Sequence, residues 1–262
     1  MPDSVGFVGL GMMGAPMAAR LLKSGHRLSV YNRTKSKAEP LLTQGAVWCV
    51  SAGAVARASN IVFSMVSNPA ALEEVSLGNQ GILDGLNKGG IHVDTSTVSP
   101  SLTCDLAQRY RATGRVFLHS PVLGSIPQVA DGTLLLFAGG DEDAYRRVEP
   151  LLHLLGKQIW RFEHAEQASH MKLLCNLFIA GMIATLAQAL VFAQKANVDP
   201  RTLLEVIGQS QLNLMIEAAE AVGAPLPAIE IAQQLLVEGQ RAGFGKEDYS
   251  AVVKVLQSQT AK

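Results

Sequence analysis

The sequence has few of the residue patterns that mark several classes of protein. Its three cysteines, Cys49, Cys104 and Cys175, are far apart and form no CxxC pair, so neither a disulfide framework nor a zinc site is indicated. The histidines show no ligand spacing, so no metal is expected. Net charge is also absent, because 22 Lys and Arg residues balance 22 Asp and Glu residues. Without a basic surplus for nucleic acid or a membrane surface, a small-molecule partner is expected.

The N-terminus begins Met1-Pro2-Asp3-Ser4 and becomes apolar at once without a basic region, so no signal peptide is expected. Together with the low cysteine content, this predicts a cytoplasmic location. Residues 173–193 are long and apolar enough to cross a bilayer, but they contain Asn176 and directly follow Lys172. We interpret them as a helix buried on several sides, because the preceding sequence alternates like a globular α/β chain, and so expect no membrane partner.

Short apolar runs alternate with helical periodicity up to about residue 162. Strands are predicted at 4–8, 27–31, 46–50, 61–66, 91–95, 116–119, 133–138 and 158–162. Helices are predicted at 13–23, 35–43, 69–76, 100–113 and 141–155. This α/β alternation predicts a parallel, doubly wound sheet with crossover helices.

Only helices are predicted after about Glu166. They cover 166–196, 200–209, 211–222, 227–242 and 246–257. The chain is therefore divided into an α/β domain at 1–163 and an all-helical domain at 164–262. The apolar surface of the long helix exceeds what one side of contact would hide, which favours a homodimer or a larger homo-oligomer.

A GxGxxG pattern, Gly9-Leu10-Gly11-Met12-Met13-Gly14, directly follows the first strand and opens a helix. The first glycine permits a tight turn, the second lets a pyrophosphate approach the backbone, and the third lets the helix pack on the strand. The amides at the helix N-terminus would then face the phosphates. In this context the pattern predicts a Rossmann dinucleotide-binding domain rather than an ordinary glycine-rich turn.

The residues after the second strand indicate which dinucleotide is bound. An NAD site usually has Asp or Glu there, whereas this chain has Asn32-Arg33-Thr34, followed by Lys35 and Lys37. An Arg guanidinium can hold a 2′-phosphate with two hydrogen bonds, so NADP(H) is predicted; the alternative is a solvated loop arginine. Met65, Val66 and Ser67, at the end of the fourth predicted strand, complete this part of the predicted cofactor site.

Further motifs follow in order along nearly the whole chain. They are 6–14, Asp94-Thr95-Ser96-Thr97, 120–125 with 130–134, Lys172 with Asn176, and 244–251. Together they resemble the β-hydroxyacid dehydrogenase family, whose relatives include 3-hydroxyisobutyrate dehydrogenase, tartronate semialdehyde reductase and the glyoxylate/succinic semialdehyde reductases. The resemblance implies that Thr97 contacts the cofactor and that the substrate is bound by Ser96, Leu123, Gly124 and Ser125.

Lys172 and Asn176 are the predicted catalytic pair, because residues i and i+4 share one face of a helix. Reduction of an aldehyde leaves negative charge on its oxygen, and a lysine there can donate the proton. In the reverse reaction its neutral form can remove one, and burial beside an oxidised nicotinamide should lower the pKa of the amine. Asn176 can hold the lysine or the substrate oxygen. The alternative is a solvated pair at the start of a helix.

Two departures from the family pattern affect the site. The family usually has a carboxylate-binding serine where Leu123 stands, so either backbone amides and Ser125 hold the carboxylate or the substrate is less polar. The second departure is a short helical domain, in which Gln209-Ser210-Gln211 takes the place of a segment that carries a second lysine. A naturally short form, an excised segment and an omitted mobile part are all compatible with this. Lys246 belongs to another motif and does not replace that lysine.

The sequence thus predicts an NADPH-dependent reductase of a small aldehyde acid, which in reverse is a β-hydroxyacid dehydrogenase. Gly124-Ser125 resembles the glyoxylate/succinic semialdehyde branch more than the Gly-Gly of other branches. Two alternatives stay open. A non-catalytic NADP(H)-binding homologue is favoured by Leu123 and the missing segment but opposed by Lys172. An imine reductase is also opposed by Lys172, because that group usually has another acid there.

Overall fold

The computed structural model describes residues 4–203 and 206. Its strands are β1 (Ser4–Val8), β2 (Arg27–Tyr31), β3 (Val47–Trp48), β4 (Ile61–Ser64), β5 (Ile91–Asp94), β6 (Val116–His119), β7 (Val122–Leu123), β8 (Leu134–Gly139) and β9 (Gly156–Phe162). Its helices are α1 (Gly14–Lys23), α2 (Glu39–Leu42), α3 (Ala52–Arg57), α4 (Pro69–Leu77), α5 (Ile82–Gly85), α6 (Pro100–Ala112), α7 (Ile126–Asp131), α8 (Glu142–Leu155) and α9 (Ala165–Lys195), with a 3₁₀ turn at Lys35–Ala38 before α2.

The strands of the described residues form one sheet in the order β3-β2-β1-β4-β5-β6-β8, with β7 and β9 also paired to β8. Strands β1 to β6 run parallel, so their carboxyl ends share one edge of the sheet. The strand order reverses at β1, because the next strand, β2, lies on one side of β1 and the later strand β4 lies on its other side. A crevice at the carboxyl edge of such a switch point is the usual place for a ligand in an open α/β sheet.

Strand β8 corrects the expectation of a parallel sheet throughout, because it runs antiparallel to β6 and β7. His119 pairs with Gly139, Val122 with Leu136 and Leu123 with Leu135, so one unbroken register extends from β6 into β7. Between β7 and β8 lie only residues 124–133, which are too few for the crossover that a parallel return requires. Residues 116–123 therefore form one arm of a hairpin that extends past the sheet's carboxyl edge.

Two apolar cores lie on opposite faces of the sheet. One face packs against α1 and α8 through residues such as Met17, Leu21 and Leu152, all fully buried. The other face packs against α3, α4 and α6 through residues such as Val55, Leu72 and Leu106. Because side chains alternate between faces along a strand, the buried strands are apolar on both sides, as in doubly wound sheets.

The chain forms two compact units, Met1–Leu173 and Leu174–Lys262, and the boundary between them falls inside α9. By length and composition alone, α9 could cross a membrane, with a mean hydropathy of 1.9. Its beginning is nevertheless buried in the first unit, at Ala165, Ala168, Ser169 and Lys172. Only 6% of its apolar window is buried, so the expectation of a helix buried on several sides is wrong for this segment. Length and composition alone are weak evidence for a membrane span. The helices predicted beyond residue 206 lie outside the described residues.

Candidate cofactor and substrate site

The predicted cofactor residues of the first unit follow the carboxyl ends of four parallel strands. The glycine turn follows β1, Asn32 follows β2, and Met65 follows β4. Residues Thr95 to Thr97 follow β5, next to β4 in the sheet. The sheet therefore brings together segments that are far apart in the sequence, at the edge where a dinucleotide is expected.

The three glycines of the turn serve two different purposes. A β-carbon at Gly9, whose φ is +94°, would overlap the carbonyl oxygen of Met65, and one at Gly14 would overlap the carbonyl oxygen of Gly9. At Gly11, in contrast, a β-carbon would meet nothing within 4 Å. Close packing of the backbone therefore requires glycine at positions 9 and 14, whereas position 11 faces open space. A dinucleotide pyrophosphate needs such a bare backbone for its approach, so the turn fits this group.

The N-terminus of α1 also suits a phosphate. Helices α4, α6 and α8 are each capped by a side chain, from Asn68, Ser99 and Asp141. Helix α1 begins after Met13 with no side-chain cap and with no acidic residue in its first turn. The positive end of its dipole is therefore available to an anion, although the Ala15 amide donates to the Gly11 carbonyl at 3.0 Å and Pro16 has no N–H.

Asn32 connects the second strand to the glycine turn. Its Oδ1 atom accepts a hydrogen bond of 2.9 Å from the Leu10 amide, and its Nδ2 atom donates one of 2.8 Å to the Thr34 carbonyl. Arg33 and Thr34 are exposed beside this brace, and the Lys35 ammonium lies 5.8 Å from the centre of the Trp48 ring. The end of β2 thus presents cations and no carboxylate.

Ser96 and Thr97 differ in exposure although they are neighbours. Thr97 is exposed at the carboxyl edge, as a cofactor contact requires. Ser96 is fully buried, and its hydroxyl accepts from the Val66 amide at 2.9 Å and donates to Asp94 Oδ1 at 2.7 Å. The Ser96 side chain therefore ties the β5 loop to the β4 loop, in addition to its predicted role in substrate binding.

The predicted substrate loop stands on the hairpin arm. Strand alternation and pairing place His119, Leu123, Leu135 and Gly139 on one face of the hairpin. Leu123 is 4% exposed, and Gly124 adopts a φ of +137°, which a side chain rarely tolerates. The amide and hydroxyl of Ser125 donate to Gln128 Oε1 at 2.9 and 2.6 Å, forming a capping box on α7. The two Ser125 donors that could bind a substrate carboxylate are thus already hydrogen-bonded to Gln128.

Helix α9 packs on the same face of the hairpin as Leu123. A β-carbon at Gly139 would meet the backbone of His164 and Ala165 and the side chain of Ala168. Four residues beyond Ala168, Lys172 is only 9% exposed. Residues 168 and 172 are i and i+4, so Lys172 is on the helix side that faces the hairpin. Asn176 lies one turn later on α9, in the second compact unit.

A buried polar cluster at the same edge was not predicted. His92, Asp94 and His119 are fully buried on β5 and β6, and Asp94 Oδ2 lies 3.2 Å from His119 Nδ1, at ion-pair range though not aligned as a hydrogen bond. Burial lowers the pKa of His92 from 6.5 to about 4 against the opposing field of Asp94. Burial alone would raise the pKa of Asp94, but its contacts with His119 and Ser64 leave that pKa below its ordinary value. The sequence signal was a pair of polar residues at i and i+2 in the otherwise apolar β5.

Among the described residues, no group of three His, Cys, Asp or Glu side chains could hold a metal ion. A cavity of about 660 Å³ lies elsewhere, between α6, the end of β9 and the start of α9, with Arg111, Arg161 and Glu163 in its lining. It contains none of the predicted site residues. The carboxyl-edge crevice, rather than this cavity, therefore carries the candidate chemistry.

Two family models match the chain. The NAD-binding domain of 6-phosphogluconate dehydrogenase matches residues 4–164, and the NAD-binding domain of NADP-dependent 3-hydroxyisobutyrate dehydrogenase matches residues 167–213. The first covers more than half of the chain and coincides with the sheet and its helices. The second begins near the start of α9 and contains both Lys172 and Asn176.

Individual relatives are similar over nearly the whole chain. The chloroplastic glyoxylate/succinic semialdehyde reductase 2 of Arabidopsis thaliana is 30% identical over 99% of this chain and 81% of its own length. The 2-hydroxy-3-oxopropionate reductase of Escherichia coli is 34% identical over 97% of each. The solved structure of Psf3 in complex with NADP+ and 2-OPP is 27% identical, with a TM-score of 0.71 over 86% of this chain and 81% of that one.

The lengths of these alignments bear on the short helical domain. They extend over 289 positions with the Arabidopsis relative and 283 with the Escherichia coli relative, more than the 262 residues of this chain. Both relatives therefore possess residues that have no counterpart here, in agreement with the missing segment that the sequence indicates.

Proposed function

This chain belongs to the β-hydroxyacid dehydrogenase family and is a nicotinamide-dependent oxidoreductase, and from that premise we propose that it uses NADP(H) to interconvert a small aldehyde acid and its hydroxy acid. Glyoxylate and succinic semialdehyde are the favoured aldehydes, with reduction as the favoured direction. The observation that carries the proposal is the buried Lys172 side chain on the side of α9 that packs against the hairpin.

The preference for NADP(H) rests on the end of β2. Arg33 is exposed there with Lys35 and Lys37 nearby, and no carboxylate occupies the place where a ribose 2′-hydroxyl would be held. A guanidinium binds a phosphate through two parallel hydrogen bonds, and its charge favours the phosphorylated ribose. The structural relative that holds NADP+ supports the same choice.

The bound nicotinamide would supply or accept a hydride; the residues of the chain handle the proton and the orientation. Lys172 would donate a proton to the aldehyde oxygen as negative charge develops there, and its burial excludes water that would compete for this role. Asn176, one turn away on α9, would hold the amine or the oxygen. Ser96, Leu123, Gly124 and Ser125 would line the substrate, with the carboxylate displacing Gln128 from the Ser125 donors.

The direct test is NADPH oxidation by the purified chain with a panel of aldehyde acids and cyclic imines. We expect turnover of glyoxylate or succinic semialdehyde, and a loss of kcat on the order of 10²–10⁴-fold in Lys172→Ala. His170→Ala, on the exposed side of the same turn, is the matched control and should keep full activity.

Other results would replace this proposal. NADPH binding without turnover of any aldehyde or imine would establish the non-catalytic homologue, and turnover of imines alone would establish an imine reductase. Activity that survives in Lys172→Ala would remove the lysine from the mechanism while leaving the oxidoreductase itself in place.

We further propose a homodimer or larger homo-oligomer in the cytoplasm, with no nucleic-acid or membrane partner. Large apolar side chains of α9 are exposed, among them Leu174, Leu177, Phe178 and Phe192. A second copy could cover them, since symmetric self-association is the commonest way to bury such a surface. Sedimentation equilibrium of the full chain tests this, and a monomeric mass would refute it.

A further inference from the structure

Buried polar side chains form a continuous chain across the carboxyl edge of the sheet. Tyr110 on α6 lies 2.8 Å from His92 Nδ1, and His92 Nε2 lies 2.8 Å from the Ser64 hydroxyl. The Ser64 hydroxyl donates in turn to Asp94 Oδ1 at 2.6 Å. The Ser64 hydroxyl hydrogen is donated to Asp94, so Ser64 can only accept from His92. His92 must therefore be protonated on Nε2 and accept at Nδ1 from the Tyr110 hydroxyl. Each hydrogen bond in this series therefore has a defined donor and acceptor, and the last acceptor is Asp94.

Asp94 is the acceptor on which the chain converges. Its Oδ1 atom also accepts from the Ser96 hydroxyl at 2.7 Å, and its Oδ2 atom accepts from the Ser96 amide at 3.3 Å and faces His119 at 3.2 Å. Its exposure is zero, so bulk solvent does not reach the charge. A buried carboxylate is stable only where such donors surround it, and those donors are held firmly in return.

Through Ser96, Asp94 also holds the β4 loop that packs on the glycine turn. The Ser96 hydroxyl that donates to Asp94 also accepts the Val66 amide at 2.9 Å, so the β4 loop is tied to the β5 loop. The Met65 carbonyl in that β4 loop packs directly on Gly9, where no β-carbon would fit. The Asp94 backbone carbonyl accepts from the Ser120 amide at 2.7 Å, which adds the start of the substrate loop.

We propose that Asp94 is a positioning residue, which through Ser96 and Val66 sets the separation of the β4 and β5 loops from the glycine turn and thereby the fit of the dinucleotide. This proposal rests on the proposed function for its effect on NADPH. Its geometric part, the fixation of Val66 by Asp94, is independent of any ligand.

Three variants separate positioning from general stability. Asp94→Asn keeps the size of the side chain but replaces one carboxylate oxygen with an NH2 donor, which must face either the Ser64 and Ser96 hydroxyls or the Ser96 amide. Ser64→Ala removes one of those donors and is the milder change. Tyr110→Phe is the matched control, because Tyr110 is equally buried in the same chain but lies at the end remote from the loops.

Two measurements on the full-length variants test the proposal. Calorimetric titration should show NADPH affinity weakened on the order of tenfold in Asp94→Asn and less in Ser64→Ala, with Tyr110→Phe within about twofold of the native protein. Amide hydrogen exchange of the cofactor-free protein should be faster for the peptide that contains Val66 in Asp94→Asn but not in Tyr110→Phe.

The outcomes are distinguishable. Native protein that binds no NADPH overturns the proposed function, and the exchange at Val66 still decides the positioning role. Unchanged exchange at Val66 in both Asp94→Asn and Ser64→Ala overturns the positioning role even if the enzyme is active. Equal weakening of NADPH binding by Asp94→Asn and Tyr110→Phe, in proportion to their loss of thermal stability, also overturns it by making the chain of contacts purely structural.

Discussion

The hydroxyl of Ser169 on α9 lies 3.2 Å from the hydroxyl of Thr103 on α6, a contact between residues 66 positions apart. Thr103 is in the first turn of α6, which begins directly after the loop that carries Ser96 and Thr97. Lys172 is one turn beyond Ser169 on α9. This contact therefore keeps the turn of α9 that carries Lys172 close to the loop that carries the predicted cofactor contact Thr97.

Two alanine substitutions in the glycine turn should affect different properties, one the binding of NADPH and the other the stability of the fold. Gly11→Ala places a methyl group in open space, so we expect unchanged thermal stability but NADPH binding weakened by about tenfold or more. Gly14→Ala forces a methyl group into the Gly9 carbonyl, so it should destabilise the protein by about 1–3 kcal/mol. Thermal unfolding and calorimetric titration measure the two effects. Equal NADPH affinity in Gly11→Ala and the native protein would show that no ligand approaches this backbone.

Arg33→Ala should separate the two nicotinamide cofactors. Loss of the guanidinium removes the partner of the 2′-phosphate, so the KM for NADPH should rise roughly tenfold or more while the KM for NADH stays unchanged. Arg27→Ala is the matched control, since Arg27 is exposed at the opposite end of the same strand. A similar rise for both cofactors in Arg33→Ala would mean that the residue does not recognise the phosphate.

Leu123→Ser should increase turnover of small aldehydes that carry a carboxylate, because the new hydroxyl can donate a hydrogen bond to it. The same change should destabilise the chain by about 2–4 kcal/mol, since Leu123 is buried. Leu135→Ser controls for this cost, because Leu135 pairs with Leu123 on the same face but belongs to no predicted site. Steady-state kinetics with glyoxylate compare the three proteins. Unchanged or lower kcat in Leu123→Ser would argue against a role of position 123 in substrate binding.

His92 should make the stability of the protein depend on pH. Its pKa is about 4 in the folded protein and 6.5 ordinarily, because burial outweighs the neighbouring Asp94, while His119 lowers it further and Tyr110 remains neutral. Between these values the unfolded chain binds a proton that the folded one does not, so stability falls as the pH decreases from about 6.5 to 4. From pH 7 to pH 5 the loss should be about 2 kcal/mol.

Urea unfolding at pH 7, 6 and 5 measures this loss, with His92→Gln as the comparison. The variant lacks the titrating ring, so its stability should decrease by about 2 kcal/mol less than that of the native protein over this range. Parallel pH curves for the two proteins would rule out His92 as the source of the dependence.

The sequence predicted the large regular elements of the first unit well and the short ones poorly. Strands β1, β2 and β6 have the predicted bounds, because each is an apolar run that ends at a polar residue or at the glycine turn. Helices α3, α5 and α7 were not predicted, because four to six residues are too short to show a helical period. The direction of β8 was also missed, since an apolar run looks the same in parallel and antiparallel strands and only the length of the connection decides.

In the site, the glycine turn could be predicted because a backbone constraint leaves its mark directly in residue type. The double role of Asn32 as a brace and the burial of Ser96 could not, because both depend on which loops the sheet brings together. The same holds for the polar cluster at Asp94. Its two histidines have no regular spacing in the sequence, and they become neighbours only when β5 pairs with β6.

The uncapped N-terminus of α1 makes the stability of the protein depend on the concentration of the nucleotide that binds there. A dinucleotide bound at the N-terminus of α1 binds the folded chain and not the unfolded one, so the native population rises with the concentration of free nucleotide. In a cell depleted of this nucleotide, the first turn of α1 opens more often and exposes the strand beneath it to proteases. The abundance of the enzyme would then follow the availability of its own coenzyme without any change in gene expression.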